Sequence, residues 1–510
     1  MPSPESPAVL VARFLATNGY HDTLAAFIAE SGLPPDAGTA SPGDLTIEKV
    51  LDEKKVFDLS LAFEKPAHDD GVSRGWTLPA PSKPVRVGAL QVHANLLHVS
   101  VEAIDAFPHA AEENEGSDEY IIATTADRRL NVFSSAAPHF RLLRSDAALH
   151  DSSILSWAVI RRRWLVSASM SGQIILSDLL DGTVLEERRD HTKFVVKVAA
   201  LEDRDETWLA AASWSGKVSL YRLRSSRSRE GRNDSTADSG RLGPPVGTIS
   251  LPTLPESVLF WNHRRQGVVE PSSSDPILVV SRRDSTFLYY YSLPRTTADA
   301  STTTTQELPL LGKQNLAPHS AQWISFSPSA MALCPTDALL IAVGTSSVPH
   351  MKLLILRQRL TPAAAASSFS VSAIATAPPA QVTQTQAQQA AQQLAEEEAC
   401  AAAIRSHTST LAPQTPFSTP QVCWRPDGSG IWVNGDDGVV RGVEARSGKV
   451  LVSLPAGGSG GGDGGHEPGS KIRTLWSGVL RGRECVLSGG FDRRLILWSV
   501  IGDGGDENTG

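Results

Sequence analysis

The sequence predicts a mainly β protein: a seven-bladed β-propeller preceded by a small α-helical module. Three observations carry this expectation. A strand–turn–strand pattern recurs between residues 85 and 500. Its first three copies end at Phe133, Ser177 and Tyr221, at intervals of 44 residues. Residues 6–33 instead show the three-to-four spacing of two short amphipathic helices.

Composition bounds the rest. A chain of 510 residues holds about three ordinary domains, or one large repeat ring plus a small module. Lys and Arg number 47 against 55 Asp and Glu, a net charge of −8 that lacks the broad basic field of a general nucleic-acid binder. Cys334, Cys400, Cys423 and Cys485 are widely spaced, with no Cys-x-x-Cys. Neither a zinc ribbon nor a thioredoxin-type site is expected. Residues 1–10 hold three prolines and no basic run, unlike a secretory signal. No run of about 18 apolar residues occurs, so no membrane span is expected. The expected compartment is nucleus, cytoplasm or both.

The elements follow in chain order. A first helix is predicted near residues 8–17, with Leu10 and Phe14 on one face. Asn18-Gly19 ends it, because glycine tolerates the left-handed position after a helix. A second helix is predicted from about His21 to Glu30, with Asp22 as its N-cap and Leu24, Phe27 and Ile28 on one face. Gly32 and Pro34 stop it. A pair of about 28 residues cannot bury enough surface to stand alone.

Leu10, Phe14, Leu15, Gly19, Tyr20, Thr23, Leu24, Phe27 and Glu30 together resemble the LisH motif, here residues 6–38. The resemblance implies homodimerisation through a four-helix arrangement of two chains. Leu10, Phe14, Leu15, Tyr20, Leu24 and Phe27 would fill its core. The alternative is a helical hairpin docked on its own chain. An exposed apolar face of this kind wants one partner or the other.

Residues 44–65 read as a further helical segment, capped by Asp44 or Thr46, with Ile47, Val50 and Leu51 apolar. The segment is too short for the longer helical region often found after LisH. Residues 66–83 carry the prolines and glycines of a linker.

From residue 84 to residue 500 the repeat takes over. Turns at Asp127, Ser171, Ser215, Asp284, Asp437 and Asp492 each stand between two short apolar runs. Such a run, turn and run is a β-hairpin. The run after each turn ends six residues on, and that residue is aromatic in four of the six copies. A weaker seventh unit spans residues 339–344 and 351–356. Biased segments near 224–245, 296–309, 361–412 and 456–470 read as disordered insertions that stretch the later intervals. Residues 501–510 read as a flexible tail.

The period of about 44 residues is similar to that of WD repeats, as are Leu497-Trp498 and the acidic Asp178. His150, His191, His319, His407 and His466 stand where the family places a histidine. His466, Asp492 and Trp498 alone match a full histidine, turn aspartate and strand-end tryptophan set. The resemblance implies a hydrogen-bonded network in that blade. It also implies that residues 84–91 supply the outer strand of the last blade. A six- or eight-bladed ring, or a two-sheet β fold, are the alternatives.

No catalytic chemistry emerges. There is no phosphate-cradling Gly-x-x-x-x-Gly-Lys-Ser/Thr run. Gly457-Gly-Ser-Gly-Gly461 matches Gly-x-Ser-x-Gly inside a glycine-rich run, without the strand and helix a nucleophile elbow needs. No catalytic, cofactor or metal residue is assigned. The basic run 222–232 reads as a solvated loop, an import signal or a phosphorylated segment. The Ala/Gln/Glu-rich stretch 381–405 reads as a helical spacer.

A propeller offers its turns to partners. The residues just before the turns are Ala126, Met170, Trp214, Arg283, Asp436 and Phe491. Met170, Trp214 and Phe491 are large and apolar, and Arg283 is a forked donor, types enriched at binding hot spots. Phe194 joins them. The alternative is that these rings pack under neighbouring loops. The expected function is a non-enzymatic dimeric scaffold that recruits proteins into a multi-protein complex. Resemblance to LisH and WD-repeat proteins suggests corepressor, ubiquitin-ligase or microtubule and dynein settings. Rivals are an RNA-processing nucleoprotein adaptor and a propeller-based enzyme.

Overall fold

The computed structural model describes residues 6–40, 44–51, 75–76, 78–88, 93–105, 118–136, 140–203, 206–224, 241–262, 276–294, 305–318, 326–359, 386–455 and 464–500. The chain divides into two compact units, a helical one within residues 1–64 and a β ring after it.

In the helical unit, α1 spans Pro7–Thr17 and α2 spans His21–Ser31. Ser6 caps α1, its hydroxyl accepting from the Val9 amide, and Pro7 supplies a preset φ at the first position. Gly32 closes α2 in the left-handed conformation, φ 65°. Asp22 differs from expectation. It lies inside the first turn, where its charge favours the helix dipole, and Tyr20 takes the cap position without a side-chain bond. Val9, Ala12 and Leu33 form the buried centre, with Leu24, Phe27 and Ile28 against them. Arg13 is buried too, paired with Asp44 at 2.9 Å and donating to the Leu45 carbonyl at 3.0 Å. Of the helical segment 44–65, residues 52–65 lie outside the described residues.

The ring has seven sheets. After β1 (Lys83–Val87), the first blade holds β2 (Leu96–Ala103), β3 (Glu119–Thr125), β4 (Leu130–Ser134) and β5 (Leu142–Asp146). The second holds β6 (Ile154–Ile160), β7 (Trp164–Ser169), β8 (Ile174–Asp178) and β9 (Val184–Arg188). The third holds β10 (Val195–Asp203), β11 (Glu206–Ser213), β12 (Lys217–Arg224) and β13 (Gly247–Ser250). The fourth holds β14 (Pro255–Trp261), β15 (Ile277–Arg282) and β16 (Phe287–Ser292). Next in the chain, β17 (Gln306–Glu307) pairs in parallel with β13, and β18 (Leu310–Asn315) completes the fourth blade. The fifth holds β19 (Ser327–Leu333), β20 (Leu340–Ser346), β21 (His350–Arg357) and β22 (Ile404–Pro413). The sixth holds β23 (Val422–Trp424), β24 (Gly430–Val433), β25 (Val440–Glu444) and β26 (Val450–Leu454). The seventh holds β27 (Ile472–Leu480), β28 (Arg483–Gly490) and β29 (Leu495–Ser499), and β1 adds antiparallel to β29 as its outer strand. The ring therefore closes as the sequence implied, with Pro84 opposite Trp498 and Val87 opposite Leu495.

The core is not one mass but seven layers. Each buried apolar cluster draws its residues from two neighbouring blades. Ile122 and Val132 meet Trp157 and Leu165, for example, and Ile277 and Tyr290 meet Ile341 and Leu354. Central strands such as Glu206–Ser213 are buried on both faces, which explains their unbroken apolar runs. The first strand of each blade lies innermost, beside its counterparts in neighbouring blades. Six of these seven inner strands are irregular near their start, at the second residue in five and the third in β19, the shift falling between Leu96 and His98 in the first blade and between Ile472 and Thr474 in the last. Bulges of this kind turn a side chain out of the regular alternation.

Two segments differ from the sequence reading. Within the insertion 361–412, the helix Gln386–Ala403 falls in the stretch 381–405 that reads as helical, but β22 follows it directly, ten residues paired with β21. The blade needs a fourth strand, and this one alternates buried and exposed residues as a half-covered outer strand does. Trp76 and residues 78–82, placed in a linker, pack on the ring. Trp76 lies edge-on to Trp432, with centroids 5.3 Å apart. It fills the space left by Gly430 and Gly442, where an added Cβ would stand 2.6 Å and 2.3 Å from its ring. The insertion residues 225–240, 295–304, 360–385 and 456–463, and the tail 501–510, lie outside the described residues.

Candidate functional site

The turns between the second and third strands share one face of the ring. In five blades the residue before the turn donates its backbone N–H to the residue just before the inner strand. These bonds are Ala126 to Asn95 (2.8 Å), Met170 to Ser153 (3.0 Å), Trp214 to Phe194 (3.0 Å), Arg283 to Leu254 (2.7 Å) and Phe491 to Lys471 (2.9 Å). Each turn is thereby pinned beside the start of an inner strand, next to the mouth of the channel. In the sixth blade Asp436 donates instead to Pro413, and its carboxylate pairs with Lys471 at 3.0 Å.

Of the face residues expected from sequence, the structure brings three together. The rings of Phe194 and Trp214 stand 4.6 Å apart, tilted by 42°. The guanidinium of Arg283, from the next blade, lies 4.8 Å from the Trp214 ring centroid. Arg283 also donates to Glu256 at 2.8 Å. Burial pushes the Glu256 carboxyl above its ordinary range, and the Arg283 charge counters this only in part. The Trp214 indole N–H is buried without an acceptor among the described residues. Met170 and Phe491 stand apart, 47% and 41% exposed, on the second and seventh blades.

The six residues expected at a dimer core also divide. Leu24 and Phe27 pack inside the helical unit, against Val9 and Ala12. Leu10, Phe14 and Leu15 are half-buried and lie outside that cluster, and Tyr20 is 54% exposed.

The histidine network of the last blade is assembled. His466 Nδ1 lies 2.9 Å from Asp492 Oδ2, and His466 Nε2 lies 2.9 Å from Ser488 Oγ. Trp498 donates its indole N–H to the same hydroxyl at 2.9 Å. Burial raises the Asp492 carboxyl, but the bond and charge of His466 outweigh it and hold the group below its usual range. Gly490 makes this possible, since an added Cβ would sit 2.5 Å from Asp492 and 2.9 Å from His466. The sequence reading missed Ser488, although it stands three residues before Phe491.

The same count places Ser167 before Met170, and His150 bonds it at 2.8 Å, with Gln173 at 3.1 Å on the other ring nitrogen. Before Trp214 the position holds Ala211, and both ring nitrogens of His191 are buried without a partner. There Tyr221 replaces the tryptophan and donates to Asp190 at 2.9 Å. His407 Nε2 is also unpartnered, and His319 lies outside the described residues. His466 and His150 thus tie the strands of their own blades together. Among the described residues no group of three or more His, Cys, Asp and Glu could hold a metal ion. No helix there is long and apolar enough to cross a membrane.

Comparison with known families agrees with this division. Residues 8–35 match the family model described as UCP007778, LisH domain. Residues 271–499 match the model described as UCP007778, beta-propeller domain. No curated protein matches the chain.

Proposed function

Because the chain couples a LisH domain to a seven-bladed β-propeller, we propose that it is a non-enzymatic dimeric scaffold recruiting proteins into a multi-protein complex. The observation that carries this reading is the Phe194–Trp214–Arg283 cluster on the turn-bearing face. It joins two rings and a guanidinium at the boundary of two blades, the residue types that anchor protein interfaces. The indole N–H without an acceptor supports an incoming carbonyl or carboxylate as its partner. Leu10, Phe14, Leu15 and Tyr20 are the residues through which two LisH units would pair, with Leu24 and Phe27 bracing the hairpin beneath. Two propellers on one dimer would gain avidity for a partner carrying the epitope twice. The nucleus and the cytoplasm both suit the reading, and corepressor, ubiquitin-ligase and microtubule-associated complexes are the settings it fits.

Light scattering on the full chain tests the dimer. The expected mass is twice 54.4 kDa, falling to the single-chain value with Leu10→Glu and Phe14→Glu together. A wild-type monomer at micromolar concentration would remove avidity from the mechanism. Affinity capture with wild type beside Trp214→Ala and Arg283→Ala tests the face. Proteins retained by wild type and lost by both variants support it, and an unchanged set counts against it.

A further inference from the structure

The inner strands carry few charges, and those they carry are sorted along the channel. His98 and Lys197 are the third residues of β2 and β10, and Arg473 is the second residue of β27. All three stand at the mouth on the turn-bearing face. Glu102 lies four residues beyond His98, about 13 Å along the strand. Glu202 and Asp203 close the far end of β10, and Glu202 accepts there from the Arg161 amide at 2.6 Å. Glu256 is the one inner-strand acid at the mouth among the described residues, and Arg283 takes it at 2.8 Å.

Lys197 and Arg473 sit on the third and seventh blades, which are not neighbours. The positive charges of both nonetheless act on His98 of the first blade, and that of Arg473 acts on Lys197. Lys197 in turn acts on the Cys423 thiol of the sixth blade. Groups so far apart around the ring meet only across its central channel. Burial, then the Arg473 charge, holds the Lys197 ammonium below its ordinary range, and burial pulls Arg473 down to about 10. Among the described residues no carboxylate acts on either cation. His98 is driven well below its ordinary value by burial and then by the two cations, so it is neutral at pH 7. Its ring rests edge-on against Trp157, with centroids 4.2 Å apart.

His98, Lys197 and Arg473 are each partly exposed, and like charges gathered at one channel mouth without a counterion repel unless a ligand neutralises them. A narrow channel with low-dielectric walls also focuses their field on whatever enters.

We propose that the central channel binds a small phosphate-type oxyanion between Lys197 and Arg473, with the neutral imidazole of His98 as a further donor. The guanidinium fork suits two oxygens of one phosphate, and the ammonium serves as a point charge. The site lies at the mouth, on the face that carries Trp214 and Arg283, and stands independently of the scaffold reading.

Calorimetric titration of the full chain with inorganic pyrophosphate, beside ADP, tests it. One saturable site per chain is expected. Equal affinity for the two would identify a free oxyanion, and tighter ADP the phosphate end of an ester. Lys197→Met and Arg473→Met should each weaken pyrophosphate at least tenfold, with Lys449→Met unchanged. Both variants should melt no lower than wild type without ligand, because each removes an unneutralised charge. In wild type alone, saturating pyrophosphate should slow acetylation of Lys197 at least fivefold, read by peptide mass, and leave Lys449 unaffected. No binding, or binding that both methionine variants retain, or unprotected Lys197, overturns the proposal.

Discussion

The guanidinium of Arg425 meets the carboxylate of Glu484 through two bonds, 2.7 Å from Nε and 2.6 Å from Nη2, across the boundary of the sixth and seventh blades. The Arg425 side chain is fully buried. The same guanidinium donates to the carbonyls of Leu78 and Pro79 and lies 4.3 Å from the Trp76 ring centroid. One side chain thus ties two blades to the segment that leads into the closing strand.

Arg425→Ala should destabilise the ring by about 3–5 kcal/mol, because it strands a half-buried carboxylate and two carbonyls. Arg425→Lys should rescue little, since an ammonium cannot span both oxygens. The double change Arg425→Met with Glu484→Met should recover much of the loss. Urea midpoints measure all three, and an alanine variant within about 1 kcal/mol of wild type would show that the pair contributes little.

Ser488 accepts from the Trp498 indole N–H and donates to His466 Nε2, whose other ring nitrogen, Nδ1, is bonded to the Asp492 carboxylate. Ser488→Ala should cost about 1–3 kcal/mol, because a buried donor and a buried acceptor lose their shared partner. The third blade offers the reverse experiment. Ala211→Ser places a hydroxyl where Ser488 stands in its own blade, within reach of the unpartnered His191. A gain of about 0.5–1.5 kcal/mol is expected. A loss of stability would mean that His191 does not share the geometry of His466.

Stability should fall with acid between pH 6.5 and 4. His150 and His191 are pulled down to about 4, burial being the main cause in each. The carboxylates of Asp151, Glu187 and Asp146 around His150, and Asp190 beside His191, act in the opposite sense, while Lys217 adds to the lowering of His191. The unfolded chain, with histidine near its ordinary value of about 6.5, therefore binds more protons in this window. The stability is complete above pH 6.5 and is lost as pH drops towards 4, by about 1.4 kcal/mol per pH unit for each histidine. Unfolding curves at pH 7, 6 and 5 measure the slope, and His150→Gln should flatten it. A profile equally steep in the variant would assign the slope to other groups.

Trp214→Ala and Arg283→Ala should leave the ring folded, with Arg283→Ala costing about 1–3 kcal/mol because it removes the counterion of the largely buried Glu256. Glu256 loses its counterion in that variant, so its carboxyl should rise further. A carbon-13 titration of that glutamate would detect the change. No movement would place Glu256 outside the reach of the Arg283 charge.

The hairpins of the ring were legible because a blade's central strands are buried on both sides and leave continuous apolar runs ended by tight turns. Ring closure from the start of the ring was legible only through the resemblance to WD repeats, and Lys83–Val87 supplies that strand. The fourth strand of the fifth blade was not legible. Residues 404–413 follow a polar helix, and an outer strand with one open face carries a weak pattern. Trp76 was read as linker because prolines surround it, and only the gaps at Gly430 and Gly442 show what it covers.

By itself the sequence determined the LisH hairpin and the repeat, both of which depend on local periodicity, while the seven closed sheets settled the blade count among its alternatives. It also named His466, Asp492 and Trp498, whose spacing follows the repeat. Tertiary structure alone decided which of the face residues meet, since Phe194, Trp214 and Arg283 come from two blades joined by packing. It alone placed His98, Lys197 and Arg473 around one channel, although Lys197 and Arg473 are 276 positions apart in the chain. Closing a ring brings distant segments together by geometry, and no local pattern encodes which side chains then face each other across its axis.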